Sequence, residues 1–387
     1  MMMDKELLTL LKDARLNQKS TYRQLDYQKL YQLADQHQVS ALIYNQIYDF
    51  PDFPNDLKQQ WRSEAIKINA FQTRKTFRLL DIYQKLRNKG IDVIVVKGII
   101  CRSLYPQGEN RQSNDEDLYI KQKDFQTVKD ILLEDHFQIA HESEDVTTFI
   151  DFSSGLSIEM HTQLFSKDSK AYGKYQSLFD NAFEHTTIHS IQCVDFISLD
   201  HDYHLLFLIL HFVKHFLHSG AGIRQVLDIV VYSETYQDDI DWKKIFEILK
   251  YFQVDELILN LFSMAHDYFD FNINQLKIDH LDYQDLLDDI MNAGIFGQTS
   301  KERIHSSTIT LNAFDKGKTN VFKSLFPTLK EMQAKYEYLN KYPYLLPFAY
   351  ISRIIQYQKT NKLNDGKQTI EIGQQRVNLL KKYKVMK

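Results

Sequence analysis

Two aspartates one residue apart, Asp115 and Asp117 in RQSNDEDLYI (111–120), are the side chains here best suited to chemistry. An apolar run from Leu118 to Ile120 follows directly, so the stretch reads as a strand leading out of an acidic turn. Strand side chains alternate between faces, which puts Asp115, Asp117 and Tyr119 on one side and Glu116, Leu118 and Ile120 on the other. Two carboxylates so placed can both bind a hard cation such as Mg²⁺ through oxygen. Phosphoryl chemistry on two ions needs them roughly 3.5–4 Å apart, held by shared carboxylates and completed by a third.

LSIEMHTQLF (156–165) offers that third group. Ser157, Glu159 and His161 share one face of this strand, and a Glu inside an apolar strand is costly to bury without a partner such as a shared metal. Asp151, on the preceding strand, is a weaker alternative. Lys97-Gly98 ends another apolar run: glycine allows close backbone approach to a ligand, and a strand-end lysine beside a metal suits a phosphate. Arg111 is a second phosphate candidate. Each signal is common by itself, since acidic triplets are more often solvated turns. Their order carries more: apolar strand, glycine, short helix, Asp-x-Asp strand, helix, hairpin with Glu.

The elements that must position these residues can be read around them. Residues 1–50 read as helices closed by PDFP (51–54), and 57–89 as a long helix with Leu79, Ile82 and Leu86 on one side, stopped by Gly90. IDVIVVKGII (91–100) is a buried strand. KDFQTVKDILLEDHF (123–137) is an amphipathic helix with Phe125, Val128, Ile131 and Leu132 on one side. VTTFIDF and LSIEMHTQLF flank Ser153-Ser154-Gly155 as a hairpin. From about residue 200 the chain reads as helical again. A further helical segment is marked by Phe326-Pro327 and 342–357. The expected fold class is α+β, a small mixed-sheet core embedded in a mainly helical protein. Its expected parts are an N-terminal helical segment (1–89), the core (90–198), a C-terminal helical domain (199–358) and a polar, loosely ordered tail (359–387).

Composition fits a globular chain: 387 residues, 43% hydrophobic, 25% charged, with only 12 Gly and 6 Pro. The net charge of −4 lacks the basic excess of proteins that bind long nucleic acid through phosphates. Two cysteines suggest neither a disulfide framework nor a zinc site of their own. No stretch reaches about 18 uncharged apolar residues, and the N-terminus has no signal-peptide core, so a cytoplasmic protein without a membrane span is expected.

VIVVKGII, LYP, RQSNDEDLYI, SIEMH, LILHFVKHF, GIRQVLDIVVY, IDW and FPTLKEMQAKYEYLNKYPYLLPFAYISRI together resemble, over roughly residues 35–357, the bacterial uncharacterised nucleotidyltransferases, also termed nucleotidyltransferase family 5, of the DNA polymerase β-like superfamily. The resemblance implies transfer of a nucleoside monophosphate from an NTP to an acceptor hydroxyl, with Mg²⁺ or Mn²⁺. It implies Asp115 and Asp117 as metal ligands, Glu159 as third ligand and activator of the acceptor, and Lys97-Gly98 as the phosphate-side loop. The acceptor stays open: small molecule, polymer precursor, protein or RNA end. Glu116 departs from the family's apolar residue, implying a partly wet back face on the strand. Lys-Gly stands where better-known relatives have Gly-Ser, so their triphosphate contact does not carry over.

His204, His211, His215 and His218 form a stripe along one helix. His211 and His215 could chelate zinc, but Phe212 stands where a metalloprotease has its general base. Stripe histidines are more often hydrogen-bonded core residues. Through the resemblance, His211, Lys214 and His215 line the nucleotide cleft. Arg224 and Asp228 read as a helix-surface pair, with Asp228 open to a cleft role through the resemblance. Three rival readings stand beside the transferase: a non-catalytic nucleotide-binding module on the same fold, a zinc-dependent hydrolase built on the histidine helix, and a helical scaffold whose acidic run is only surface charge.

Overall fold

The computed structural model describes residues 2–21, 25–143, 145–218, 220–294 and parts of 303–352 and 363–386. The helical segment expected at Phe326-Pro327, and the end of 342–357 beyond residue 352, lie outside the described residues.

Helices α1 (Met2–Arg15), α2 (Tyr27–Gln36) and α3 (Ser40–Ile47) precede the long α4 (Asn55–Asn88). The buried face of α4 runs from Trp61 and Ala65 through Gln72, Lys75 and Thr76 to Leu79, Ile82, Tyr83 and Leu86, the i, i+3, i+4, i+7 spacing of a helix laid on a core. Next come β1 (Val93–Val96), the short α5 (Gly98–Arg102), β2 (Glu116–Ile120), α6 (Phe125–Glu134), and β3 (Gln138–Glu142), β4 (Val146–Asp151) and β5 (Leu156–His161). The hairpin expected at Ser153-Ser154-Gly155 is present, with Asp151 paired to Leu156. Asp151 is committed to that turn and to Arg78.

The sheet is larger than the sequence suggests: seven strands in the order β3-β4-β5-β2-β1-β7-β6. The last two, β6 (Thr186–Ile191) and β7 (Val194–Leu199), form a hairpin inside the core range that hydrophobic patterning did not reveal. Its turn residues Gln192 and Cys193 both have positive φ. Turns of that kind favour Asn-Gly or Asp-Gly, so the local signal was missing. Strand β7 pairs parallel to β1.

Helices α7 (His201–His218), α8 (Ile223–Thr235), α9 (Trp242–Tyr251), α10 (Asp255–Phe269) and α11 (Gln284–Ala293) follow. Asp200 accepts the Tyr203 N–H and caps α7. Helix α7 is buried on nearly every side, which explains its all-round apolar composition; no described helix is long and apolar enough to cross a membrane. The expected loose tail is instead a helix, Leu363–Lys382. Val377, Leu380 and Tyr383 bury themselves in the main core, and Arg376 donates to the Phe216 and His218 carbonyls at the end of α7. The polar composition reflects the helix's other face. Buried residues of α1–α4, the sheet, α7–α11 and this last helix join in one apolar core.

Candidate active site

Strand β1 delivers Lys97 to the sheet's centre in an unusual backbone conformation, φ 58°, of the kind that persists only where surroundings enforce it. The Lys97 N–H donates to His204 Nε2 at 3.0 Å, fixing the turn to α7. Gly98 follows with φ 25°, and a Cβ there would lie 2.0 Å from Glu116 Oε2. The group that needs glycine's small size is therefore Glu116, not a ligand.

Glu116 is fully buried, which corrects the expectation of a wet back face. Its Oε2 accepts the Ile99 N–H at 2.7 Å, and its Oε1 accepts from Arg102 at 2.9 Å and from Ser113 Oγ at 3.3 Å. Burial alone would raise its pKa, but Arg102 and Lys75 outweigh that and hold it below the ordinary value. Glu116 is thus the clamp that ties the Lys97-Gly98 turn to β2.

On the opposite face, β2 and β5 run parallel with Asp117 beside Glu159 and Tyr119 beside His161. The register places the two predicted carboxylates side by side. Asp117 is 2% exposed, whereas the Glu159 side chain is 35% exposed. Lys97 Nζ lies 3.3 Å from Asp117 Oδ2, and His161 Nε2 lies 3.0 Å from Asp117 Oδ1 and 3.6 Å from Glu159. Ligand atoms of Asp117, Glu159 and His161 all fall within 4.8 Å of one another.

Asp115 sits one residue before the strand. Burial raises its pKa, Lys97 opposes this, and the charges of Asp117 and Glu159 add to the rise; the group whose ligand atoms lie within 4.8 Å of one another is Asp117, Glu159 and His161, without Asp115. Burial would likewise raise Asp117, but Lys97 and His161 hold it far below the carboxylate range. Burial would lower Lys97, yet Asp117, Asp115 and Glu159 push it above its ordinary value. His161 rises to about 9, its hydrogen bonds to Asp117 and Glu159 overriding burial.

From above, α7 contributes Lys214, lowered by burial while feeling Asp117 and Glu159, with its ammonium 5.9 Å from the Tyr172 ring. His211 and His215 face each other, Nε2 to Nε2 at 3.3 Å. Burial holds both neutral, and the charge of Lys97 acts on each. Among the described residues, no third acidic, histidine or cysteine group joins them within coordination distance. The stripe divides: His204 serves the β1 turn, and His218 packs on Tyr172.

Arg111 is brought elsewhere. Its Nε and Nη2 bind Asp228, the former at 2.9 Å, and Tyr105 donates to the same carboxylate at 2.9 Å; Arg111 Nη1 is buried without a hydrogen-bond partner. Arg224 donates to the Gln112 carbonyl and to Gln38. Both Arg224 and Asp228 are buried, so the surface-pair reading is overturned. The long-range partners Arg111 and Gln112 cover this face of α8.

Sequence reasoning also missed Lys75. Its fully buried ammonium donates to the Ser113 and Asn114 carbonyls at 3.0 and 2.9 Å, anchoring the turn before Asp115, and burial lowers its pKa to about 8. The only sequence signal was its place on the buried face of α4. His161 was legible only as a neighbour of Glu159 on the same strand face.

No curated protein and no solved structure matches this chain. The model of one family, described as uncharacterised nucleotidyltransferase, matches residues 23–270, more than half of the chain. That span holds every carboxylate and lysine of the cluster, and the chain belongs to the uncharacterised nucleotidyltransferase family.

Proposed function

We propose that this nucleotidyltransferase-family protein moves a nucleoside monophosphate from ATP or another NTP to an acceptor hydroxyl, releasing pyrophosphate. The observation that carries the reading is the β2–β5 register, which sets Asp117 beside Glu159 with Asp115 just ahead of them. This donor set fits Mg²⁺ or Mn²⁺: hard carboxylate oxygens converge from two neighbouring strands, with one imidazole beside them. A divalent cation held by Asp115, Asp117 and Glu159 would screen the triphosphate and acidify the acceptor hydroxyl.

The chain's own residues divide the remaining work. Asp117, buried and pinned by His161 and Lys97, is the rigid member of the group. Glu159, far more open than Asp117, takes the acceptor's proton on its carboxylate. Lys97 and Lys214 supply positive charge for the phosphates. The Lys97 and Ile99 amides are already engaged by His204 and Glu116, so phosphate recognition here falls to side chains rather than to a backbone cradle. His211 and His215, neutral, hydrogen-bond to the nucleotide rather than ion-pair with it.

The test is to incubate labelled NTPs, Mg²⁺ or Mn²⁺ and the protein with metabolite and macromolecule fractions of the host. Label should move to one fraction, and Asp117→Asn or Glu159→Gln should lower the rate by about 100-fold or more. Transfer undiminished in Asp117→Asn sinks the proposal. Nucleotide binding without turnover is the second reading, favoured by both oxygens of Asp117 facing protein cations. It requires saturable, Mg²⁺-dependent NTP binding with no labelled product.

A further inference from the structure

A second group of ligating side chains lies outside this cluster. His266 and Asp267 stand on the last turns of α10, and His280 on the long connection, residues 270–283, between α10 and α11. One ligand atom from each lies within 4.8 Å of the others.

The surroundings of the three are those of a built site. His266 Nδ1 lies 2.9 Å from the Phe271 carbonyl, which places the proton on Nδ1 and leaves Nε2 with its lone pair. Metal-binding histidines have this arrangement, one ring nitrogen donating to a carbonyl and the other ligating. Tyr283 donates its hydroxyl to Asp267 Oδ2 at 2.6 Å, which orients the carboxylate and leaves Oδ1 toward His280, whose Nδ1 is 3.2 Å away. His280 is 78% exposed, yet it leans back onto Asp267 instead of pointing into solvent. Two nitrogens and one carboxylate oxygen, with a water in the fourth place, are a set that Zn²⁺ accepts readily.

The connection gives the site a purpose. It carries no helix or strand, and connections longer than about 12 residues without secondary structure are uncommon in compact domains. It leaves α10 through Asp270 in the left-handed conformation, and its far end is tied down by the Leu281 N–H on Ser263 Oγ at 2.9 Å. His280 sits next to that tie.

We propose that His266, Asp267 and His280 form a surface zinc site that clips the 270–283 connection to the end of α10. The site lies apart from the Asp117 cluster, shares no residue with it, and does not depend on the proposed reaction.

The test uses the full chain and Zn²⁺ alone, followed by calorimetry, with Co²⁺ absorption as a report on coordination. One equivalent should bind with micromolar affinity beyond whatever the Asp117 cluster takes up. His280→Ala, a surface change whose fold is checked by circular dichroism, should weaken that binding about 100-fold, and Tyr283→Phe about tenfold. Zn²⁺ should also slow proteolytic cleavage within 270–283 in the natural protein and not in His280→Ala. Absence of binding, or binding unchanged in both His280→Ala and Asp267→Asn, overturns the proposal.

Discussion

Glu116 Oε2 fills the space that a side chain at residue 98 would need, 2.0 Å from where its Cβ would stand. Through this contact and the Ile99 N–H bond at 2.7 Å, the back face of β2 shapes the turn that presents Lys97 to the front face. Gly98→Ala should therefore destabilise the protein by about 2 kcal/mol from overpacking and backbone strain and reduce transfer sharply. Gly90→Ala is the contrast: φ there is 75° but nothing lies within 4 Å, so it should cost about 1 kcal/mol and leave transfer intact. Urea unfolding and the labelling assay on both variants measure this; equal effects would refute the steric account.

Glu116→Ala leaves Arg102 buried without its 2.9 Å carboxylate partner. Removing one member of a buried ion pair typically costs about 3–5 kcal/mol. Denaturant midpoints should fall accordingly, well beyond the loss in Glu109→Ala, a control in the short helical turn that follows Gln107.

Asp115→Asn should abolish transfer and yet raise the melting temperature of the protein purified free of metal. The Asp115 carboxyl is raised by burial and by Asp117 and Glu159. A carboxyl raised on folding is less stable ionised in the native state than in the unfolded one, so ionised Asp115 opposes folding at neutral pH. Removing the charge removes the opposition. A melting temperature that falls would show that Lys97 compensates Asp115 fully.

His37 gives a pH dependence distant from the cluster. It is buried with Nε2 3.2 Å from the Met291 carbonyl, and burial lowers its pKa from 6.5 to about 4. Between those two values the unfolded chain binds a proton that the native chain does not, so stability falls as pH drops through that window. The loss is on the order of 3 kcal/mol by pH 4. His37→Gln, which keeps a donor for Met291, should flatten the acid limb of a stability-versus-pH curve; an unchanged limb would refute the His37 account.

Much of the cluster was legible because strand alternation is strict. Asp117 on the face opposite Glu116, and Glu159 with His161, follow from the period of two alone, and parallel pairing needed only to bring the strands together; Asp115 lies one residue before the strand, where alternation does not fix its side chain. Patterning could not show what long-range partners decide. Arg111 reads as a free cation until Asp228 meets it, 117 positions away in sequence. Glu116 reads as solvated until Arg102 and Ile99 are known to lie beneath it. The β6–β7 hairpin was hidden because its turn lacks the usual residues, and the last helix because its buried residues are diluted by a largely polar outer face.

The bond between the Lys97 N–H and His204 spans 107 positions, and this has a bearing on synthesis. A nascent chain that has reached the end of β5 already carries Asp115, Asp117 and Glu159, but neither the imidazole that sets the Lys97 turn nor Lys214. Until α7 leaves the ribosome, the His204 bond to the Lys97 N–H cannot form and Lys214 is absent. The residues of the proposed centre are therefore all present only once more than half of the polypeptide has been translated.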